Sequence, residues 1–599
     1  SNPMRAPTNY NLKKEKDVGF VPEAYWTQSI EFVAAAKRRD DLSTITAMLD
    51  CDRDWEVAAT IMLPEAHTTL QVKKDADSAI ARSQVGKANV RKRNAYAREL
   101  VRAVYYMLPQ DAEHSFASRE VIGERMEEVI YVTGGTYYTM GRLTTAYPSV
   151  ADMPGNPINV EEAQRAIVEC GFSMMNVDDS RLRPYDVFAQ EGEEDFALRI
   201  NQDSSNGFPV LGKWSDPAAQ HKVMGLYNEF VAQLKKQPAR SLLKWKRQKE
   251  KEIPEYFAVY GKCKADYYPK SKVDALKMRF YNTIPRHFVL MMQQVAQCLE
   301  ANVTKIMQDP YVHSFSGLAL PHGGADYLVE CLTLQLERDR AAFVHMGDDS
   351  WVVVRVGRKL LWFALDCSNF DLTQHSTVTL EVHNAMRNEL ANIDPTFAEL
   401  WWCYARERLV VLCGSAVRKF KHGGPSGLPL QSKVNDLLMH VLIRRVLNDL
   451  ASEGGATSES VSQIIHSVAD GVGFKIKLEQ FHEAVIADDH PDPIRHMLAS
   501  KPFQFVGYYF HTITEESSPY HGRVAVCVDL PRSISQLPYP KNQWTNKSTV
   551  EKMGVDLDLG TGKEADDKAL RICEAMRIGS IIGNWGIPTP ELRPAFEAA

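Results

Sequence analysis

Ten cysteines are scattered over 599 residues without a single Cys-x-x-Cys pair. That spacing argues against thiolate-bound structural zinc and against a disulfide framework, and it suggests a reducing compartment. No stretch of about 18 uncharged apolar residues occurs, so no membrane-spanning helix is expected. No secretory leader is read at the first residues. Positive charge is in deficit: 70 Lys and Arg stand against 76 Asp and Glu, a net charge of −6. A nucleic-acid-binding role would therefore need its cations concentrated in one stripe, because phosphate contacts depend on local charge. Internal repeats and long low-complexity segments are missing too. What remains is an ordinary globular composition, 44% hydrophobic and 24% charged, in a chain long enough for several domains.

The chain is organised around Ala341 to Asp371, AAFVHM-GDD-SWVVVRV-GRK-LLWFALD-CSNF-D. Runs rich in Val, Trp and Leu are cut by Gly/Asp clusters, which is a hairpin pattern. Three adjacent strands are predicted, with Asp348 and Asp349 at the first turn. The third strand runs back toward that turn and ends at Asp366. Several carboxylates thus converge with no Lys or Arg beside them in the sequence. Like charges held that close need a counter-charge, and a pair of divalent cations supplies it.

Basic residues do concentrate in one stretch. Residues 235–279 hold 14 Lys and Arg against 5 Asp and Glu. Within it Lys272, Lys277 and Arg279 follow a Tyr-Tyr-Pro break and are expected on a strand or loop. Further along, Gly423, Gly424, Pro425 and Gly427 form a loop low in side chains before a helix from about Leu430 to Leu450. Ser376–Arg406 reads as helical, with Trp401, Trp402 and Tyr404 as core. A helix Ser458–Ala469, then Asp470-Gly471, then a strand Phe474–Leu478 follow. Phe503–Phe510 reads as a strand with a central Gly, and Lys568–Ile581 as a helix. Residues up to about 20 read as a polar arm, and Lys87–Arg102 as a basic helix.

Strand–Gly-Asp-Asp–strand, strand–Asp-x4-Asp and a later Ser-Gly…Asn resemble motifs C, A and B of viral RNA-dependent RNA polymerases. The order C-A-B is permuted, which resembles the polymerases of permutotetraviruses and, more distantly, of birnaviruses. The resemblance covers about residues 200–540. It implies an α+β right-hand fold of fingers, palm and thumb, with an antiparallel palm sheet and a mainly helical N-terminal extension. The expected domains are the extension (1–195), fingers (196–335), palm (336–375), a fingers–palm connection (376–425), palm (426–525) and thumb (526–599).

The resemblance implies RNA-templated synthesis of RNA for a viral genome. The alternatives are a reverse-transcriptase-like palm and a non-catalytic RNA-binding viral protein. Metal ligands would be Asp348, Asp349 and Asp366, holding Mg²⁺, with Mn²⁺ as the alternative ion. Asp371, Ser426, Gly427 and Asn435 would meet the nucleotide and its ribose, and Lys272, Lys277 and Arg279 its triphosphate. Lys475 or Lys477 would act as general acid. Ser205, Asn206 and Gly207, in the turn DSSNGFP, resemble motif G and would guide template RNA. Two departures stand near Asn435: Gln431 takes a position where Thr is usual, and Asp436 another. Implied partners are template and product RNA, nucleoside triphosphates, and a covalently attached nucleotide or protein primer through an arm carrying Thr8 and Tyr10. The implied location is the host-cell cytoplasm or the virion, and the oligomeric state stays open.

Overall fold

A computed structural model describes residues 153–528, less 176, 178–181, 191, 265, 276, 319, 321–323, 413–415, 453–456, 513, 515 and 517–520, together with 55–57, 129–132 and Arg142. The expected polar arm, the helix Lys87–Arg102, the helix Lys568–Ile581 and nearly all of the expected thumb lie outside the described residues.

Strands β1 (Trp55–Val57) and β2 (Val129–Val132) come from the N-terminal third. The helix Val160–Glu169 follows, closed by a capping box in which Asn159 and Glu162 satisfy each other's backbone amides. β3 (Val259–Cys263), β4 (Asp266–Pro269) and β5 (Phe280–Thr283) frame the basic stripe. After the helices Arg286–Ile306 and Gly324–Asp339 come β6 (Ala341–Met346), β7 (Asp349–Val356) and β8 (Lys359–Cys367). β9 (Arg408–Leu412) and β10 (Ala416–Phe420) precede the long helix Gln431–Ser452. β11 (Ile476–Val485), β12 (Phe503–Phe505), β13 (Tyr508–Thr512) and β14 (Val524–Val528) complete the described chain.

Among the described residues, two sheets matter for function. One is antiparallel, in the order β11-β8-β7-β6. Its strands read as nearly continuous apolar runs because both faces are covered. Val352, Val354, Phe363 and Leu365 pack toward the helices Gln431–Ser452 and Ser458–Val472. Trp351, Val353, Trp362 and Ala364 pack with the helix Gly324–Asp339 and the β12–β13 hairpin. The other sheet runs β1-β10-β9-β3-β5 and joins the basic stripe to the segment after Arg406.

The three-strand reading holds, with both turns two residues long: Met346 pairs with Asp349, and Val356 with Lys359. Gly347 takes φ +71 at the first turn, the left-handed conformation a two-residue hairpin requires. Several readings need correction. Ser376–Arg406 is two helices, Ser376–Ala391 and Pro395–Arg406. Asp394 caps the second through the Phe397 amide, and Pro395 begins it where its missing N–H costs nothing. Phe503–Phe510 is a hairpin rather than one strand, turning at Val506 and Gly507, both at positive φ. The helix after Thr457 runs to Val472, and the following strand begins at Ile476 rather than Phe474. Lys272 lies on a five-residue helix, Lys270–Asp274, rather than on a strand or loop. Trp401 and Tyr404 are fully buried, as core residues should be.

Candidate active site

Antiparallel pairing builds the acid cluster. Ser350 pairs with Leu365, so the next step of the ladder sets Asp349 opposite Asp366, beside the turn that carries Asp348. The 17 residues between Asp348 and Asp366 are simply the outward and returning strands. Burial pushes the Asp348 carboxyl above the ordinary carboxylate range, and the Asp366 charge adds to this. Burial also raises Asp366 and Asp371.

One expectation fails. The acids are not without basic neighbours, because those neighbours come from distant segments. Lys477 stands opposite Asp366 across the β8–β11 ladder, with its Nζ 3.9 Å from the carboxylate. Arg142, buried and from the N-terminal third, donates to Asn369 at 2.5 Å and lies 3.4 Å from Asp371. Arg279 offsets Asp348 and Asp371 in part, and Lys272 offsets Asp366. In each case burial still dominates. Nothing in the sequence around Arg142 marks it; only the fold brings it to Asp371.

The Ser-Gly loop folds onto the same place. Gly424 donates its amide to the Asp371 carbonyl at 2.7 Å, and Gly423 donates to the Gln374 carbonyl at 2.8 Å. The Asn282 amide of β5 donates to the Ser426 carbonyl at 2.8 Å. The Asn435 side chain accepts from Gln374 at 2.9 Å and from Gln431 at 3.1 Å. Gln431 thus replaces the usual Thr with an amide that orients Asn435. These bonds draw the segments that carry Asp371, Ser426 and Asn435 toward one another.

The remaining sites divide. Lys477 faces Asp366; Lys475, just before β11, is exposed, and its backbone carbonyl accepts from the Ser368 amide at 2.8 Å. Lys277 and Arg279 are exposed in the segment before β5. Of the three candidates in the DSSNGFP turn, Ser205, Asn206 and Gly207, only Ser205 is exposed. Asn206 is 1% exposed and its Nδ2 donates inward to the Leu211 carbonyl at 3.3 Å, while Gly207 packs on the Ile284 carbonyl. The Asn206 side chain thus faces into its own turn, and of the three candidates only Ser205 presents its side chain to solvent.

Sequence reasoning passed over Asp436 as a bare departure. It is fully buried and accepts a 2.6 Å hydrogen bond from the Gly347 amide in the Asp348 turn. Its signal was an acid beside Asn435 on an otherwise apolar helix. Cys170, His345 and His440 also cluster behind this hairpin. His345 there bonds Ser350 through Nδ1 at 2.7 Å and His440 through Nε2 at 3.1 Å, so hydrogen bonding already occupies its ring.

The site thus gathers a carboxylate cluster at a hairpin turn, a basic stripe and the Gly-rich loop 423–427. Residues 187–429 match the family model of the permutotetravirus RNA-dependent RNA polymerase palm domain. The chain carries a viral RNA-dependent RNA polymerase palm. No curated protein matches the sequence. The polymerase VP1 from Infectious Pancreatic Necrosis Virus shares its fold at TM-score 0.58 and 14% identity, over 82% of this chain and 68% of that one. VP1 in a birnavirus VP1–VP3 complex does so at TM-score 0.57 and 14% identity, over 82% and 69%. The chain therefore has the α+β fold of viral RNA polymerases and is an RNA-directed RNA polymerase, and the matched palm family implies use of a divalent metal, RNA and nucleoside triphosphates.

Asp470 tests the permuted order within this polymerase. It lies exposed near the end of the helix Ser458–Val472, where the Gly471 carbonyl accepts from the Asn156 amide at 2.8 Å. Asp470→Asn is expected to keep activity within about twofold, as a surface change should. A loss as deep as that of an Asp348 variant in a primer-extension assay would overturn the C-A-B assignment.

Proposed function

We propose that this polymerase extends an RNA 3′ end by two-metal nucleotidyl transfer, with Asp348 and Asp366 as shared ligands and Asp349 as an auxiliary one. The supporting observation is the strand register that brings a two-residue turn and the end of β8 together with their carboxylates protonated more readily than usual. The donor set is oxygen only: the nearby Cys367 thiol is buried and turned to the Met439 sulfur at 3.4 Å. Such a set fits Mg²⁺, and Mn²⁺ shares the preference. When bound, the two ions activate the attacking hydroxyl and hold the leaving phosphates.

The chain's own groups do the rest. The 3′-oxygen bonds to the α-phosphorus as the bond to the β-phosphate oxygen breaks, and pyrophosphate leaves. Arg279, with Lys272 and Lys277, would meet charge on those phosphates, since fixed cations cost no reorganisation during reaction. Lys477, already beside Asp366, is better placed than Lys475 to protonate the leaving group. Asp371, Ser426 and Asn435 would read the ribose 2′-hydroxyl, the group that distinguishes RNA from DNA. In this reading residues 196–335 form fingers around a palm that resumes at 426–525.

Primer extension on an RNA template with ribo- and deoxyribo-triphosphates tests this. A ribose preference of about 100-fold or more is expected. Equal use of deoxyribonucleotides would favour a reverse-transcriptase-like palm. No incorporation of either, with RNA binding intact, would leave a binding protein.

Acid should act through the metals. Asp348, Asp366 and Asp371 all have raised pKa values, so protons must leave before cations enter. Without metal, ionising these groups costs stability, so stability should fall as pH rises through their raised values, and Mg²⁺ should restore it. Half-saturating Mg²⁺ should rise as pH falls, and higher Mg²⁺ should move the acid limb of activity to lower pH. An acid limb independent of Mg²⁺ would show that other groups control it.

Initiation is proposed to use a covalently attached nucleotide, on the arm that carries Thr8 and Tyr10. Incubation with labelled triphosphate and Mg²⁺ or Mn²⁺, then denaturing electrophoresis, should label the intact chain. An unlabelled chain would exclude self-attachment.

A further inference from the structure

The helix Gln431–Ser452 carries a polar row through an apolar interior: Lys433, Asp436 and His440 are all buried. Asp436 has no exposed surface and receives four hydrogen bonds from three donors on two other segments. The Gly347 amide lies 2.6 Å from Oδ1. The Ser316 hydroxyl approaches its two oxygens at 3.1 and 2.9 Å, and the Ser314 hydroxyl bonds Oδ2. Ser316 is double-duty, because its Oγ also accepts from the Gly347 amide at 3.0 Å. Lys433 closes the cluster by donating to the Ser316 carbonyl at 2.9 Å.

Three features make this more than packing. A carboxylate in a buried cluster is costly, and burial lifts this one to about 6 against the pull of Lys433 and its hydrogen bonds. Replacement of such a cluster by apolar residues is often neutral or stabilising, so the group is better explained by what it specifies. What it specifies is the turn. In a two-residue hairpin the amide of the first turn residue has no partner across the ladder, and Asp436 supplies one to Gly347. Gly347 is the residue immediately before Asp348. The adjacent helix position, Asn435, meanwhile holds Gln374 and Gln431 on the ribose side.

We propose that Asp436 is a positioning residue for catalysis, fixing the Gly347 backbone so that the Asp348 carboxylate stands at the distance from Asp366 that two cations require. This rests on the two-metal reading above. Asp436 touches neither substrate nor metal; it acts through the turn, much as an outer-shell partner orients a ligand. By its neighbour Asn435, one turn of one helix then carries both the ribose-side hydrogen bonds and the support of the metal-side turn.

The test compares Asp436→Ala and Asp436→Asn in the full chain by primer extension over a Mg²⁺ titration. Alanine should lower kcat about 100-fold, the scale of a small misplacement of a reacting group. It should raise half-saturating Mg²⁺ about tenfold or more, with the nucleotide KM changed less than about threefold. Asparagine keeps an acceptor for Gly347 and can donate to Ser314 or Ser316, so it should restore most of the metal dependence. A merely structural role would lower the active fraction and the melting temperature without moving the Mg²⁺ dependence of surviving enzyme. Unchanged half-saturating Mg²⁺ in the alanine variant would overturn the proposal. If that variant does not fold, Ser316→Ala takes its place, with about a threefold rise expected and no rise overturning it. Asp348→Asn is run in parallel. An active Asp348→Asn sinks the two-metal reading; an inactive one beside a wild-type Mg²⁺ curve for Asp436→Ala sinks this inference alone.

Discussion

Asp348→Asn and Asp366→Asn are each expected to lower nucleotide incorporation about 1000-fold or more, while RNA binding and folding persist. Metal coordination at developing charge contributes several kcal/mol to barrier lowering, and each 1.4 kcal/mol is tenfold in rate. The isosteric amide keeps the volume but gives up the charge. The structure adds a second expectation that separates a ligand from a folding residue. Burial and the neighbouring Asp366 already raise Asp348, so removing one negative charge relieves repulsion in the metal-free chain. Melting temperature without metal should therefore hold or rise slightly, and the stabilisation gained on adding Mg²⁺ should shrink. Either variant retaining about a tenth of wild-type rate at saturating Mg²⁺ would remove that residue from the ligand set.

Gly427→Ala should produce the second large effect, by a different route. Gly427 has φ +109, a conformation that only glycine adopts cheaply. A Cβ there would collide with the Asn282 carbonyl on β5. That strand follows directly from Arg279, and the Asn282 amide also holds the Ser426 carbonyl. Strain plus overlap amounts to about 3 kcal/mol. The cheaper escape is for the loop to leave β5, which would part Ser426 from the phosphate-side segment. Incorporation should fall about 100-fold with a lower melting temperature. An alanine variant with wild-type rate and stability would show that the loop adapts and that its closeness to β5 has no catalytic role.

Much of this molecule was legible along the chain. The hairpins at Gly347 and Gly357 could be read because alternation and turn chemistry are local, and local rules decide strand and turn. The convergence of Asp348 with Asp366 followed from antiparallel return alone. The loop 423–427 and its helix were legible for the same reason, since glycine density and apolar spacing are properties of neighbours in sequence. Even the permuted order was a matter of which segment came first.

Tertiary structure decided what charge surrounds those acids and what holds them. Lys477, 111 residues after Asp366, reaches it because β11 adds to β8, and Arg142 reaches Asp371 from the opposite direction. Neither pairing leaves a pattern in sequence, because side chains from distant strands meet by sheet order rather than by spacing. Asn206 stood in a correctly placed turn, yet its amide turned inward, a choice between two faces that turn residues alone do not make. Asp436 was visible as an acid in an apolar helix, but its partners Ser314, Ser316 and Gly347 lie on two other segments. The sequence by itself determined the elements and the order of the catalytic acids, because those depend on short-range sterics and hydrophobic period. The fold alone decided their counter-charges and their support, because long-range electrostatics and buried hydrogen bonds exist only once the segments are packed.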